Sequence, residues 1–91
     1  MDINTFIKTH NICVIFFTNH TFSSLNTKIK GLSLELGTSK FRIVDSTKEL
    51  ELINQYDIKS VPLFHIYKNG KLIEELFGNY SNICTIIRLH F

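Results

Sequence analysis

Residues 44–78, VDSTKELELINQYDIKSVPLFHIYKNGKLIEELFG, constrain the fold of this chain more than the remaining residues together. Their pattern predicts a strand end, a helix, a Val-Pro turn and a β-hairpin. Ser46-Thr47-Lys48-Glu49 fits a capping box, with a hydroxyl at the N-cap and a carboxylate three residues on. The helix it would open presents Leu50, Ile53 and Tyr56 on one face. Leu63-Phe64-His65-Ile66-Tyr67 and Leu72-Ile73-Glu74-Glu75-Leu76-Phe77 flank Asn69-Gly70, the strongest two-residue signal for a type I′ hairpin turn. Pro62, the only proline, opens the first hairpin strand, where a missing N–H can be tolerated.

Upstream, Ile3, Phe6 and Ile7 fall at helical spacing within residues 2–9. Ile12-Cys13-Val14-Ile15-Phe16-Phe17 is a continuous apolar run, suited to a strand covered on both faces. The polar turn 19–24 carries N-cap candidates. Leu25, Ile29, Leu32 and Leu36 then mark an amphipathic helix that Gly37 would end. Phe41-Arg42-Ile43-Val44 reads as a second strand. After Gly78, Ile83, Ile86, Ile87 and Phe91 suggest a last helix, capped by Asn79 or Ser81. The order α-β-α-β-α-β-β-α has no linker or repeat, so residues 1–91 form a single domain. A helical crossover makes the first two strands parallel, and the hairpin adds antiparallel ones. The fold class is therefore α/β, a four-stranded mixed sheet with helices on both faces.

Composition excludes several function classes. Lysines and arginines exceed acidic residues by two, for a net charge of +2. The lysines are scattered at 8, 28, 30, 40, 48, 59, 68 and 71, without the clustering a nucleic-acid partner requires. The longest apolar run is too short for a membrane span and lacks the flanks of a signal peptide. A cytoplasmic or nuclear protein with no nucleic-acid or membrane partner is expected.

Several motifs resemble the thioredoxin family. Phe16-Phe17-Thr18-Asn19-His20 is similar to the F-W-A-x-W run leading into a thioredoxin active site. Tyr56-Asp57-Ile58-Lys59-Ser60-Val61-Pro62 is similar to the Y-G-I-R-G/S-[IV]-P run before the family's cis-proline. Lys68-Asn69-Gly70 matches the hairpin turn, and Gly78 the glycine after it. The resemblance covers nearly the whole chain and implies a thioredoxin-like domain whose N-terminal strand is missing. It also implies a cis Val61-Pro62 bond that exposes the backbone of Val61, where an extended peptide could bind by strand addition.

The same resemblance identifies a loss. The two cysteines of C-x-x-C would fall on Thr21 and Ser24, so the active-site turn reads Thr21-Phe22-Ser23-Ser24. Thiol–disulfide exchange needs an attacking thiolate and a resolving thiol, and a hydroxyl supplies neither. The family's buried acid falls on Ile15, and the aromatic before the first cysteine on His20. No catalytic residue, cofactor or metal is expected. Candidate binding residues are His20, Phe22, Val61, Pro62 and Gly78, contacting a protein partner or the subunits of a complex. The chain is also similar to the thioredoxin-like modules of monothiol glutaredoxins, which lack a working dithiol.

Other readings stand beside this one. Cys13 and Cys84, the only cysteines, read as buried, reduced apolar residues. Alternatively, they could form a disulfide contributing about 4 kcal/mol, or support residual oxidoreductase or glutathione-linked activity. His20 with Ser23 or Ser24 lacks the third group and oxyanion hole of a triad and reads as solvated turn and cap. His10, His65 and His90 are too dispersed for a metal site, and His65 reads as a surface-facing strand residue. Phe22 is either a buried staple onto the following helix or an aromatic anchor for a partner. Apolar strands and an uncovered sheet edge leave a homodimer open.

Overall fold

Asp2 begins the first helix: its carboxylate accepts the Thr5 N–H at 2.8 Å and so satisfies one of the helix's orphan donors. In the computed structural model, which describes residues 2–78 and 81–91, this helix, α1, spans Ile3–Thr9. Strand β1 follows over Ile12–Thr18, then a single 3-10 turn at His20–Phe22 and helix α2 at Ser23–Leu36. A second 3-10 turn, Thr38–Lys40, leads into β2 at Phe41–Asp45. Helix α3 covers Leu50–Gln55, β3 Leu63–Lys68, β4 Lys71–Phe77, and α4 Ile83–His90.

The strands form one sheet in the order β2-β1-β3-β4. β1 runs parallel to β2 and antiparallel to β3, which pairs antiparallel with β4. This is the four-stranded mixed sheet that the sequence pattern predicts. Among the described residues no strand precedes α1 or lies outside β2.

Alternation along the central strands divides the core into two layers. Ile12, Val14 and Phe16 of β1 meet Phe64 and Ile66 of β3 under α2 and α4, with Leu25, Ile29, Leu32, Ile83 and Ile87. Cys13, Ile15 and Phe17 meet Leu63 and Tyr67 on the opposite face, with Ile3, Phe6 and Ile7 of α1 and the partly buried Leu52, Ile53 and Tyr56. Every residue of β1 is buried, as its unbroken apolar run predicts. Phe16 and Phe64 lie opposite each other in the β1–β3 register, with rings stacked at 4.2 Å between centroids. Glu35 and Arg88 tie α2 to α4 through bonds of 2.6 and 2.9 Å. Both are half-exposed, so the pair contributes orientation more than stability.

Backbone conformation explains two turns. Asn69 and Gly70 both take positive φ, 52° and 82°, as a type I′ turn requires. Asp57 ends α3 at φ 53°, and the next N–H, of Ile58, reaches back to the Ile53 carbonyl at 2.9 Å. Aspartate is one of the few residues that accepts the left-handed region here in place of glycine.

Two sequence expectations need correction. Ser46 and Glu49 form no capping box. Helix α3 starts at Leu50, and its N-cap, Glu49, makes no side-chain capping bond. Glu49 turns instead to the guanidinium of Arg42, binding it through both carboxylate oxygens. The guanidinium offers the carboxylate two parallel bonds and an opposite charge, where the capping box offers a single backbone N–H. The later start changes the inward face, leaving Leu50 61% exposed while Leu52 joins Ile53 against the core. At the last helix the N-cap is Asn82, without a side-chain bond. Ser81 lies in the preceding turn, and Asn79 lies outside the described residues.

Candidate functional site

Strand register brings the sequence-predicted residues to one end of the sheet. Phe17 pairs with Leu63, Leu63 with Phe77, and Thr18 with Asp45. The segment after β1, the Val61-Pro62 approach to β3, Gly78 after β4 and the turn after β2 therefore share that end.

The segment after β1 is fixed by its own polar side chains. The Asn19 side-chain carbonyl accepts the Thr21 N–H at 2.9 Å and also the Thr21 hydroxyl. This is the local Asx bonding that favours a turn over a continued strand. The buried Thr18 hydroxyl donates to Asn26 at 2.7 Å, and the Asn26 amide donates to the Asn19 carbonyl at 3.0 Å. These bonds attach the turn to the first turns of α2. His20, Thr21, Ser23 and Ser24 are exposed, whereas Phe22 is partly buried and packs on the core layer beneath α2 and α4. Across the end, Asp45 holds the turn after β2 by accepting the Thr47 N–H at 2.9 Å and the Thr47 hydroxyl at 2.6 Å. The hydroxyl and then the amide of Thr47, with smaller help from Lys48 and His20, hold the Asp45 carboxyl below its usual value.

The Val61-Pro62 peptide bond is cis. Pro62 is buried, and its carbonyl accepts the Gly78 N–H at 2.9 Å, with Gly78 at φ 84°. Val61 is partly buried on the α1/α3 side, and its backbone makes no hydrogen bond among the described residues. Thus Val61, Pro62 and Gly78 are directly linked, and the polar turn after β1 shares their end of the sheet.

No family model and no curated protein sequence matches the chain. Solved structures do. A cysteine-to-serine mutant of Entamoeba histolytica thioredoxin superimposes with a TM-score of 0.84 at 21% identity, over 98% of this chain and 90% of that one. Plasmodium falciparum thioredoxin gives 0.80 at 22% identity, over 97% and 90%. Chlamydomonas reinhardtii thioredoxin f2 gives 0.78 at 23%, over 97% and 88%. This chain has the thioredoxin fold.

Within its thioredoxin fold the chain places the two thiols on opposite sides of the sheet. Cys13 is fully buried in the α1/α3 layer, and burial pushes its thiol up to about 11. Cys84 is free and partly buried against the α2/α4 layer. No mutual disulfide forms, and Cys84 is less buried than the sequence reading expects. Among the described residues no group of His, Cys, Asp and Glu side chains is arranged to hold a metal ion. No described helix is long and apolar enough to cross a membrane.

His65 requires a further correction. It is 5% exposed, not surface-facing, because β3 is a central strand with both faces covered. It pairs in register with Ile15 and packs edge-on to Phe17, with 5.3 Å between centroids. Its Nε2 lies 2.7 Å from the Glu75 carboxylate on β4. With Nε2 donating, Nδ1 is a buried acceptor with no partner among the described residues. This arrangement predicts an asymmetric response. Glu75→Ala would leave both ring nitrogens without partners and is expected to cost about 1–3 kcal/mol. His65→Leu removes the polar ring and leaves Glu75, which is 45% exposed, free to hydrate, so its cost should stay below about 1 kcal/mol. Urea denaturation of the two variants provides the comparison, and the reverse ranking would show that the pair is not holding a buried ring.

Proposed function

We propose that the chain is a redox-inactive thioredoxin-like protein that holds an extended protein segment, from a client or an assembly subunit, against Val61 and Pro62. The observation that carries this reading is the Val61 backbone, which makes no hydrogen bond among the described residues beside a proline whose own carbonyl is occupied by Gly78. A strand laid along this turn would take the Val61 N–H and C=O as hydrogen-bond partners. Phe22 would add apolar contact, and His20 a polar edge. On this reading Thr21 and Ser24 stand in the places of the family's dithiol, as in the thioredoxin-like modules of monothiol glutaredoxins. The Thr21 hydroxyl is already committed to Asn19. A protein partner fits better than nucleic acid because the cationic side chains are dispersed along the sequence. A cytoplasmic or nuclear setting belongs to the same proposal.

The enzymatic alternative would work through Cys13 or Cys84. Its difficulty is chemical: the thiolate is the nucleophile, and the raised Cys13 value leaves little thiolate at neutral pH. Insulin reduction with dithiothreitol distinguishes the two readings. The expected rate is that of dithiothreitol alone, unchanged by Cys13→Ser or Cys84→Ser. Turnover above that level, lost in either variant, would establish the enzyme and remove the binding module. A segment identified by co-purification and mass spectrometry can then be titrated as a peptide into labelled protein. Binding as proposed should shift the amide signals of Thr21, Phe22, Val61 and Gly78.

A further inference from the structure

The β2 strand is an outer edge of the sheet, yet most of its outward backbone groups are already occupied. The Ser46 N–H bonds to the Thr18 carbonyl of β1 at 2.8 Å. Alternation therefore turns the backbone groups of Arg42 and Val44 toward β1 and those of Phe41, Ile43 and Asp45 outward. The Phe41 N–H donates to the Thr38 carbonyl. The Ile43 carbonyl accepts from the Arg42 guanidinium at 2.7 Å. The Asp45 N–H donates to the Glu49 carboxylate at 3.3 Å, and the Asp45 carbonyl accepts from the Lys48 and Glu49 N–H groups at 3.1 and 2.9 Å. Only the Phe41 carbonyl and the Ile43 N–H have no partner among the described residues. Arg42 and Glu49 also grip each other through both carboxylate oxygens, with their side chains about one-third exposed at 34% and 31%.

We propose that the Arg42–Glu49 pair is a latch that closes the β2 edge to strand addition, and that releasing it opens this edge to β2 of a second copy. The register follows from the groups concerned. In an antiparallel two-fold pairing centred on Ile43, that residue would exchange both bonds with Ile43 of the second copy, and Phe41 would face Asp45 of the second copy. Such pairing uses the Ile43 carbonyl and the Asp45 N–H, the two groups that Arg42 and Glu49 occupy. The Phe41 N–H and the Asp45 carbonyl stay with the Thr38 carbonyl and the turn after β2. The two-fold is therefore held by the exchange at Ile43 and by each Asp45 N–H bonding to the Phe41 carbonyl of the other copy. Two charged side chains at an edge also oppose a neighbouring strand by their desolvation cost. The apolar side chains of Phe41 and Ile43 pack into the α2/α4 layer, so opening the latch need not unfold the strand.

Sedimentation velocity at millimolar protein, with amide exchange read by NMR, tests the latch. The wild type should sediment as a monomer, with the Asp45 amide protected and the Ile43 amide exchanging fast. Arg42→Ala combined with Glu49→Ala leaves neither charge unpaired. It should shift the protein to a concentration-dependent dimer in which the Ile43 amide becomes protected. A folded double variant that stays monomeric overturns the proposal, as does a dimer whose new protection falls on β4. A wild type already paired through β2, or one whose Asp45 amide exchanges as fast as that of Ile43, also overturns it. Should the double variant fail to fold, Arg42→Thr combined with Glu49→Ser, which keeps a β-branched residue in the strand and neither charge, is read by the same criteria.

Discussion

Phe64→Ala is expected to remove about 3–5 kcal/mol of folding free energy, the range for deleting a buried phenylalanine ring. Phe64 is fully buried and stacks on Phe16 across the two central strands. Its loss leaves a cavity beneath α2 and α4 and deprives Phe16 of its stacking partner. A domain of this size has roughly 5–15 kcal/mol of total stability, so the variant should lose about a fifth of it or more. Urea denaturation followed by far-ultraviolet circular dichroism measures the effect. Leu72→Ala, at a half-exposed position on the edge strand, should change stability by less than about 0.5 kcal/mol. Equal effects of the two substitutions would mean that the Phe16–Phe64 layer is not the centre of the core.

The largest functional change is expected from Thr21→Cys combined with Ser24→Cys. Side chains three residues apart on a helical turn begin about 5–6 Å apart, and a small adjustment brings two thiols within disulfide geometry. The pair would sit where the 3-10 turn meets α2, and the partial positive charge of a helix start favours thiolate. The double variant should form an internal disulfide on mild oxidation and accelerate insulin reduction above the dithiothreitol background. Each single variant should stay at background because it lacks a resolving thiol. A double variant that forms its disulfide and remains inactive would show that the turn is not placed to meet a substrate disulfide at the proline. The mapping of Thr21 and Ser24 onto a lost dithiol would then fail.

The elements readable from sequence are those whose signal lies within a few neighbours. The β1 run, the α2 periodicity and the Asn69-Gly70 turn each specify their structure locally, and all appear where the pattern places them. The start of α3 was not readable because it depends on Arg42, seven residues before Glu49 and across the end of a strand. Ser46 and Glu49 satisfy a capping pattern, but an opposite charge in three dimensions competes more strongly for the carboxylate. His65 was misassigned for a related reason. Alternation assigns it to the face shared by Leu63 and Tyr67, but only the strand order shows that β3 lies inside the sheet, where the helices predicted for both faces reach it. The candidate site was readable as a set of segments, whereas their convergence depends on the pairing of Phe17 with Leu63 and of Leu63 with Phe77.

With one thiol beneath α1 and α3 and the other beneath α2 and α4, the sheet itself stands between the two cysteine sulfurs. Oxidation therefore gives the native monomer no internal staple. A cross-link must join separate molecules or wait until the sheet has come apart, so moving between reducing and oxidising surroundings leaves the folded architecture without an extra tether.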